Sequence, residues 1–255
     1  MRLSCAGRTD IGLRRSANED SFCVREDLGL FVVADGMGGH VAGEIASKLA
    51  VDETEQFVAG TTTTGATDTW PVPFDPKLGR NGNRLKAGLL EANRRINARI
   101  NDDDELQGMA TTAVAVLVDD TPGALAHVGD SRAYLHRRGE FSRLTSDHSW
   151  VEEQVRAGTL SAEAAREHPW RNVVTRALTG ESTLDVDVAE LTLEAGDRVL
   201  LCSDGLTAVL SDAAIAAVLT GPLGLEEICD DLIRQANEKG GPDNITVVVV
   251  GADAR

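Results

Sequence analysis

The chain is short of positive charge, of aromatic rings, of cysteine and of long apolar runs, and each shortage removes a class of function. Its 255 residues carry 25 Lys+Arg against 41 Asp+Glu, a formal net charge of −16. Binding nucleic acid or an anionic membrane needs clustered Lys and Arg, so neither is an expected partner. Aromatic residues make up 4% of the chain, which leaves the core to Val, Leu, Ala and Ile. The four cysteines, Cys5, Cys23, Cys202 and Cys229, include no short-spaced pair and read as reduced thiols, not as a disulfide frame or a zinc knuckle. No apolar stretch reaches the ~18 to 20 residues of a membrane-spanning helix, and the segment MRLSCAGRTDIGLRRSANED has no signal-peptide core. A cytoplasmic, monomeric protein is the expectation.

What is present is the composition of a globular domain, with 42% hydrophobic and 26% charged residues. Strand signatures fall at residues 21–25, 28–34, 110–119, 124–129, 132–137, 185–191, 197–203 and 244–250. Helical periodicity falls at 41–59, 83–100, 211–220 and 225–238. Runs of strands without regular βαβ alternation predict an α+β domain of stacked, largely antiparallel sheets covered by helices. With no internal repeat or second compositional regime, residues 1–255 are expected to form one domain. Two excursions interrupt it: a Thr- and Pro-rich insertion at about 60–82, and a flap of short helical pieces at about 146–180.

Three apolar strands end on Asp followed by a small residue, in FVVADGMGG at Asp35, AHVGDSR at Asp130 and LLCSDGL at Asp204. In GGPDNITVVVV the order reverses and Asp243 opens the strand, while RSANEDSF puts Glu19 and Asp20 at the start of another. If these strand ends meet at one rim, their carboxylates repel one another until a proton or a cation intervenes. Oxygen-only ligands with no His or Cys at ligand spacing point to Mg²⁺ or Mn²⁺, and a pair of such ions is the usual device for phosphoester displacement. Gly36, lacking a Cβ, lets its carbonyl approach a metal. Arg15 lies three residues before Asn18, close enough to bring a phosphate-gripping guanidinium to the same rim. Taken singly, each Asp-Gly also reads as a common turn and Arg15 as a surface cation.

The ordered strings RSANED, VVADGMGGHVAGEIAS, MATTAV, HVGDSRAYL, DHSWVEEQVRAG, HPWRNVVTRALTG, LLCSDGL and GPDNITVV, running from about residue 8 to 251, resemble the bacterial branch of the PPM (PP2C) metal-dependent serine/threonine protein phosphatases. The resemblance implies a four-layer α-β-β-α sandwich with two central antiparallel sheets and a dinuclear Mg²⁺/Mn²⁺ site at one edge. It implies that Asp35 bridges both metals with the Gly36 carbonyl on the second, that Asp204 and Asp243 ligate the first, and that Glu19 and Asp20 hold metal-bound waters. Asp130, with Asp204, matches the position that recruits a third, weaker metal, Asn172 in the flap lies at a position near that metal, and Arg15 matches the phosphate-binding arginine. The implied reaction is attack on the phosphorus of phosphoserine or phosphothreonine by a metal-bridging hydroxide. Eukaryotic relatives carry a His general acid two residues after the bridging Asp; here that position is Met37. The strings are most similar to the branch opposing Hanks-type serine/threonine kinases, so phosphorylated proteins, the kinases and their substrates are the implied partners.

Other readings stay open at this point. One is a phosphatase of the sigma-factor pathways. Another is a phosphate- or nucleotide-binding module built on Gly36-x-Gly38-Gly39, opposed by the missing third glycine at Val41 and by the charge of Asp35. A third is a catalytically silent scaffold. Asp147 or Ser149 reads as a helix N-cap, and His40, His127, His136 and His168 read as structural. Trp150 and Trp170 are expected to pin the flap to the body, with Trp70 in the insertion.

Overall fold

The computed structural model describes residues 1–38, 41–62, 72–119 and 122–254. Strand side chains alternate between faces, so a strand apolar at every position must be covered on both sides. That is the case for β3 (Leu30–Met37), β5 (Ala113–Leu117), β6 (Gly123–Val128), β10 (Arg198–Cys202) and β11 (Ile245–Asp253), which are buried over nearly their whole length. In β3, Phe31 and Val33 face a second sheet, while Leu30 and Val32 face helices.

One sheet has the order β1 (Arg2–Asp10), β11, β10, β7 (Arg132–Arg137), β8 (Glu140–Arg143). The other runs β2 (Asp20–Arg25), β3, β5, β6, β9 (Asp187–Leu191), with β4 (Ala110–Thr111) paired to β3. The pairings are antiparallel. Phe31, Val114, Val116, Leu201, Val248 and Val250 fill the space between the sheets. Helices α1 (Val41–Gly60) and α2 (Arg80–Asp102) cover the second sheet through Ala46, Ala50, Leu85 and Leu89. On the first sheet, α6 (Asp212–Leu219) and α7 (Leu225–Glu238) pack Ile215, Ile228 and Leu232 onto Leu200 and Val249. The result is the expected α-β-β-α order.

Two strands escaped the sequence pattern. β1 is mixed in composition and only Ala6 is fully buried, because it is an edge strand; β8 is four residues of an exposed hairpin. Helix α2 starts at Arg80, so residues 80–82 belong to it and not to the insertion, of which residues 63–71, Trp70 included, lie outside the described residues. The flap holds α3 (Trp150–Arg156) and α4 (Ala162–Glu167), the short helical pieces expected there. All four thiols are free, and Cys23, Cys202 and Cys229 are buried. No helix among the described residues is long and apolar enough to cross a membrane.

Candidate functional site

The aspartate-ended strands run out at the same end of the sandwich. Asp35 lies near the end of β3; Asp130 follows β6; Asp204 follows β10 and opens the short helix α5 (Asp204–Thr207); Asp243 stands just before β11. Asp20, the first residue of β2, is the direct cross-strand neighbour of Asp35. A cleft of about 460 Å³ is lined by Arg15, Glu19, Asp35, Gly36, Asp130, Asn172, Asp204 and Asp243. Every expected site residue but one therefore faces one space. The exception, Asp20, is buried behind it: its Oδ2 accepts from Ser203 Oγ at 2.7 Å and Thr246 Oγ1 at 2.6 Å, which leaves only Oδ1 free.

Without a cation this arrangement is electrostatically uncomfortable. Burial, then the charges of Asp20, Asp204, Asp130 and Asp243, push the Asp35 carboxyl well above the ordinary carboxylate range. Burial raises Asp130 to about 8, with the charges of Asp204 and Asp147 adding to it and Arg132 opposing. Burial likewise raises Asp20 to about 7 against its two hydroxyl hydrogen bonds. Asp204 is raised by burial and by the charge of Asp243, while the neighbouring Asp35 carboxyl and the charges of Arg15 and Arg132 oppose the rise. Carboxylates crowded in this way shed their repulsion by taking up a proton or by sharing a divalent cation. Oxygen donors alone, and a buried Asp20 Oδ1 with no hydrogen-bond partner among the described residues, fit a hard cation of the Mg²⁺ or Mn²⁺ kind.

The surrounding backbone has no room to spare. A Cβ on Gly36 would meet the Gly43 carbonyl oxygen at 2.1 Å and the Glu19 carbonyl oxygen at 2.5 Å. A Cβ on Gly205 would lie 1.9 Å from the Asn244 carbonyl oxygen. Helix α1, the Glu19 turn and the β11 entry therefore close on the acidic residues through glycine alone. Thr112 N–H and Thr111 Oγ1 both donate to the Asp35 carbonyl, each at 2.9 Å, fixing the strand end.

Asn244 was not singled out by the sequence pattern and ties the cleft together. Its Nδ2 donates to the carbonyls of Ile11 and Ala17, both at 2.9 Å, and its Oδ1 accepts from Glu19 N–H at 2.8 Å. The loop so anchored carries Arg15, whose Nη2 donates to Asp243 Oδ2 at 2.7 Å. The only hint in the sequence was an amide beside an Asp ahead of an apolar strand.

Of the two capping candidates at the start of the flap, Ser149 is the N-cap of α3, accepting from Glu152 N–H, and Asp147 is instead gripped by the Arg132 guanidinium, with Nε at 2.9 Å and Nη2 at 2.6 Å. His127, in β6, has the structural place expected of it: it stacks on His148 with ring centroids 4.8 Å apart. His148 Nδ1 accepts from Gly129 N–H at 3.0 Å, so Nε2 carries the proton and faces Asp187 Oδ2 at 3.3 Å. The ligand atoms of His127, His148 and Asp187 lie within 4.8 Å of one another, but Arg176 Nη1 stands 3.2 Å from His148 Nε2 and supplies the positive charge itself. Trp150 stacks on His168 and meets Trp170 edge-on, each at 4.8 Å, so the two rings hold the flap to itself, while backbone bonds from Trp150 to Val173 and from Thr175 to His148 close it. His40 lies outside the described residues.

Comparison with known proteins gives a consistent answer. The sequence profile of the family described as protein phosphatase 2C matches residues 14–247. The serine/threonine phosphatase stp of Listeria monocytogenes is 37% identical over 252 residues, covering 96% of this chain and 94% of that protein. The crystal structure of the Mycobacterium tuberculosis serine/threonine phosphatase PstP/Ppp is 37% identical and superposes with a TM-score of 0.86, covering 100% of both chains. The catalytic domain of the serine/threonine protein phosphatase PstP in complex with two manganese ions is 36% identical, with a TM-score of 0.83 over 99% of both chains.

Proposed function

The chain belongs to the protein phosphatase 2C family, and from that premise we propose that it hydrolyses phosphoserine and phosphothreonine on proteins, using Mn²⁺ or Mg²⁺, in opposition to Hanks-type serine/threonine kinases. The observation that carries this reading is the cleft in which Asp35, Asp130, Asp204 and Asp243 converge.

Asp35, the Gly36 carbonyl, Asp204 and Asp243 would hold two core cations, with Glu19 and Asp20 orienting the water around them; Asp130 and Asp204, with Asn172 above, would take a third. When bound, such cations lower the pKa of water and neutralise phosphate oxygens. The chain's own contribution is position. Arg15, half exposed and hydrogen-bonded to Asp243, presents a planar fork of donors that can exchange one carboxylate oxygen for two phosphate oxygens. Asn244 keeps that fork over the cleft. Ser203 and Thr246 hold Asp20 Oδ2, which fixes the carboxylate beside Asp35. Met37 offers no ionisable proton to a leaving alkoxide, so that side chain is not the general acid.

Phosphate release from a phosphothreonine peptide by chelator-stripped protein tests the reading. Turnover restored by Mn²⁺ or Mg²⁺ is expected; no turnover with either ion would overturn it.

A further inference from the structure

A second depression, a groove of about 620 Å³, lies between the flap and the α5–α6 segment. It opens into the acidic cleft, because Asp130, Asn172 and Asp204 line both. Val151, Val155, Val209 and Leu210 contribute apolar surface to its lining. Its charges are mostly spoken for. Arg132 pairs with Asp147 and Asp212, and Arg143 pairs with Glu152 and Asp147, while Asp130 and Asp204 belong to the cation site. Two guanidiniums remain, Arg166 at the end of α4 and Arg171 just beyond it, both exposed and without a carboxylate partner among the described residues. With Asp130 and Asp204 neutralised by cations, the groove's four arginines face three carboxylates, so in a chain of net charge −16 this lining carries one net positive charge, and its two unpaired cations are Arg166 and Arg171.

We propose that this groove receives the segment of a phosphoprotein that flanks the phosphorylated residue, and that Arg166 and Arg171 select acidic side chains in that segment. The inference rests on the phosphatase reading and names its substrate class. The occupant follows from three features: continuity with the cleft, apolar surface suited to a polypeptide, and charge complementarity to carboxylates. The sign of the preference is diagnostic. The field of the whole molecule repels an acidic peptide, so a preference for one must come from a local site.

The test uses the Mn²⁺-loaded protein and a neutral phosphothreonine peptide, with three glutamates or three lysines added on either the N-terminal or the C-terminal side. The readout is the ratio of kcat/KM for the Glu peptide to that for the Lys peptide, which is insensitive to the fraction of active protein. Exposed charge pairs of this kind are each worth a few-fold, so the ratio on one side is expected to be about 10 at low ionic strength and to fall toward 1 as salt is added. Arg166→Glu/Arg171→Glu is expected to invert it. Arg2→Glu/Arg99→Glu, which makes the same change in net charge at exposed positions away from the groove, is expected to keep the Glu preference. A wild-type ratio at or below 1 on both sides, or equal ratios in the two double variants, overturns the proposal. Turnover of every peptide without preference sinks this inference alone, whereas no metal-restored turnover of any peptide sinks the phosphatase reading beneath it.

Discussion

Replacing Asn244 with alanine removes three hydrogen bonds at once, to Ile11, Ala17 and Glu19. Each is worth about 1 kcal/mol net, and the loop carbonyls lie close enough to solvent that no further penalty for a buried unpaired group is added, so the sum is about 3 kcal/mol. For a chain of this size that is a fall in Tm of about 6 to 12 °C, read by thermal denaturation of the chelator-stripped protein. The same bonds anchor the Arg15 loop, so with Mn²⁺ in excess the variant is expected to raise KM for a phosphopeptide as Arg15→Ala does. The two effects should not multiply: in Arg15→Ala/Asn244→Ala the KM is expected to match that of Arg15→Ala alone, because Asn244 acts through the arginine. A Tm within 2 °C of wild type, or KM penalties that multiply, would refute the argument.

Three further outcomes follow from the same geometry. Asp204→Asn is expected to cost more than the about 10- to 100-fold that loss of a ligand's supporting partner costs, with weaker Mn²⁺ binding by calorimetry; unchanged binding and turnover would contradict its place in the cleft. Arg15→Ala is expected to raise KM by about 5- to 10-fold, the worth of a half-exposed charge-assisted hydrogen bond, while Mn²⁺ affinity holds; a wild-type KM would exclude Arg15 as the phosphate anchor. His148 sits among His127, Arg176, Asp187 and the Gly129 N–H, and burial first, then its cationic neighbours, holds it below its usual pKa of 6.5. Stability from this lowered folded-state value is present above 6.5 and is lost as pH falls through the folded-state value. Urea denaturation at pH 7.5 and 5.5 should show a smaller drop for His148→Asn than for wild type, and an equal drop would contradict the assignment.

The site was legible in the sequence where it depends on strand ends, and illegible where it depends on which strands meet. An apolar run stopping at Asp35, Asp130 or Asp204 marks a carboxylate at a sheet edge, and the structure brings those three and Asp243 to one cleft. Asp20 could be seen as acidic and near, but its burial comes from Ser203 and Thr246, 183 and 226 residues away, and no local pattern encodes such a partner. Asn244, Asp147 and His148 were missed or misread for the same reason, since their contacts cross between elements far apart in the chain. The edge strand β1 was missed because a half-solvated strand does not need the apolar run that marks β11 beside it.

The most direct test of the central claim counts bound Mn²⁺ and phosphate release in one titration of the chelator-stripped chain. Turnover that is absent without metal and rises as a second Mn²⁺ binds per chain is the predicted result. Turnover in chelator, or tight binding of two ions with no phosphate released, would contradict it.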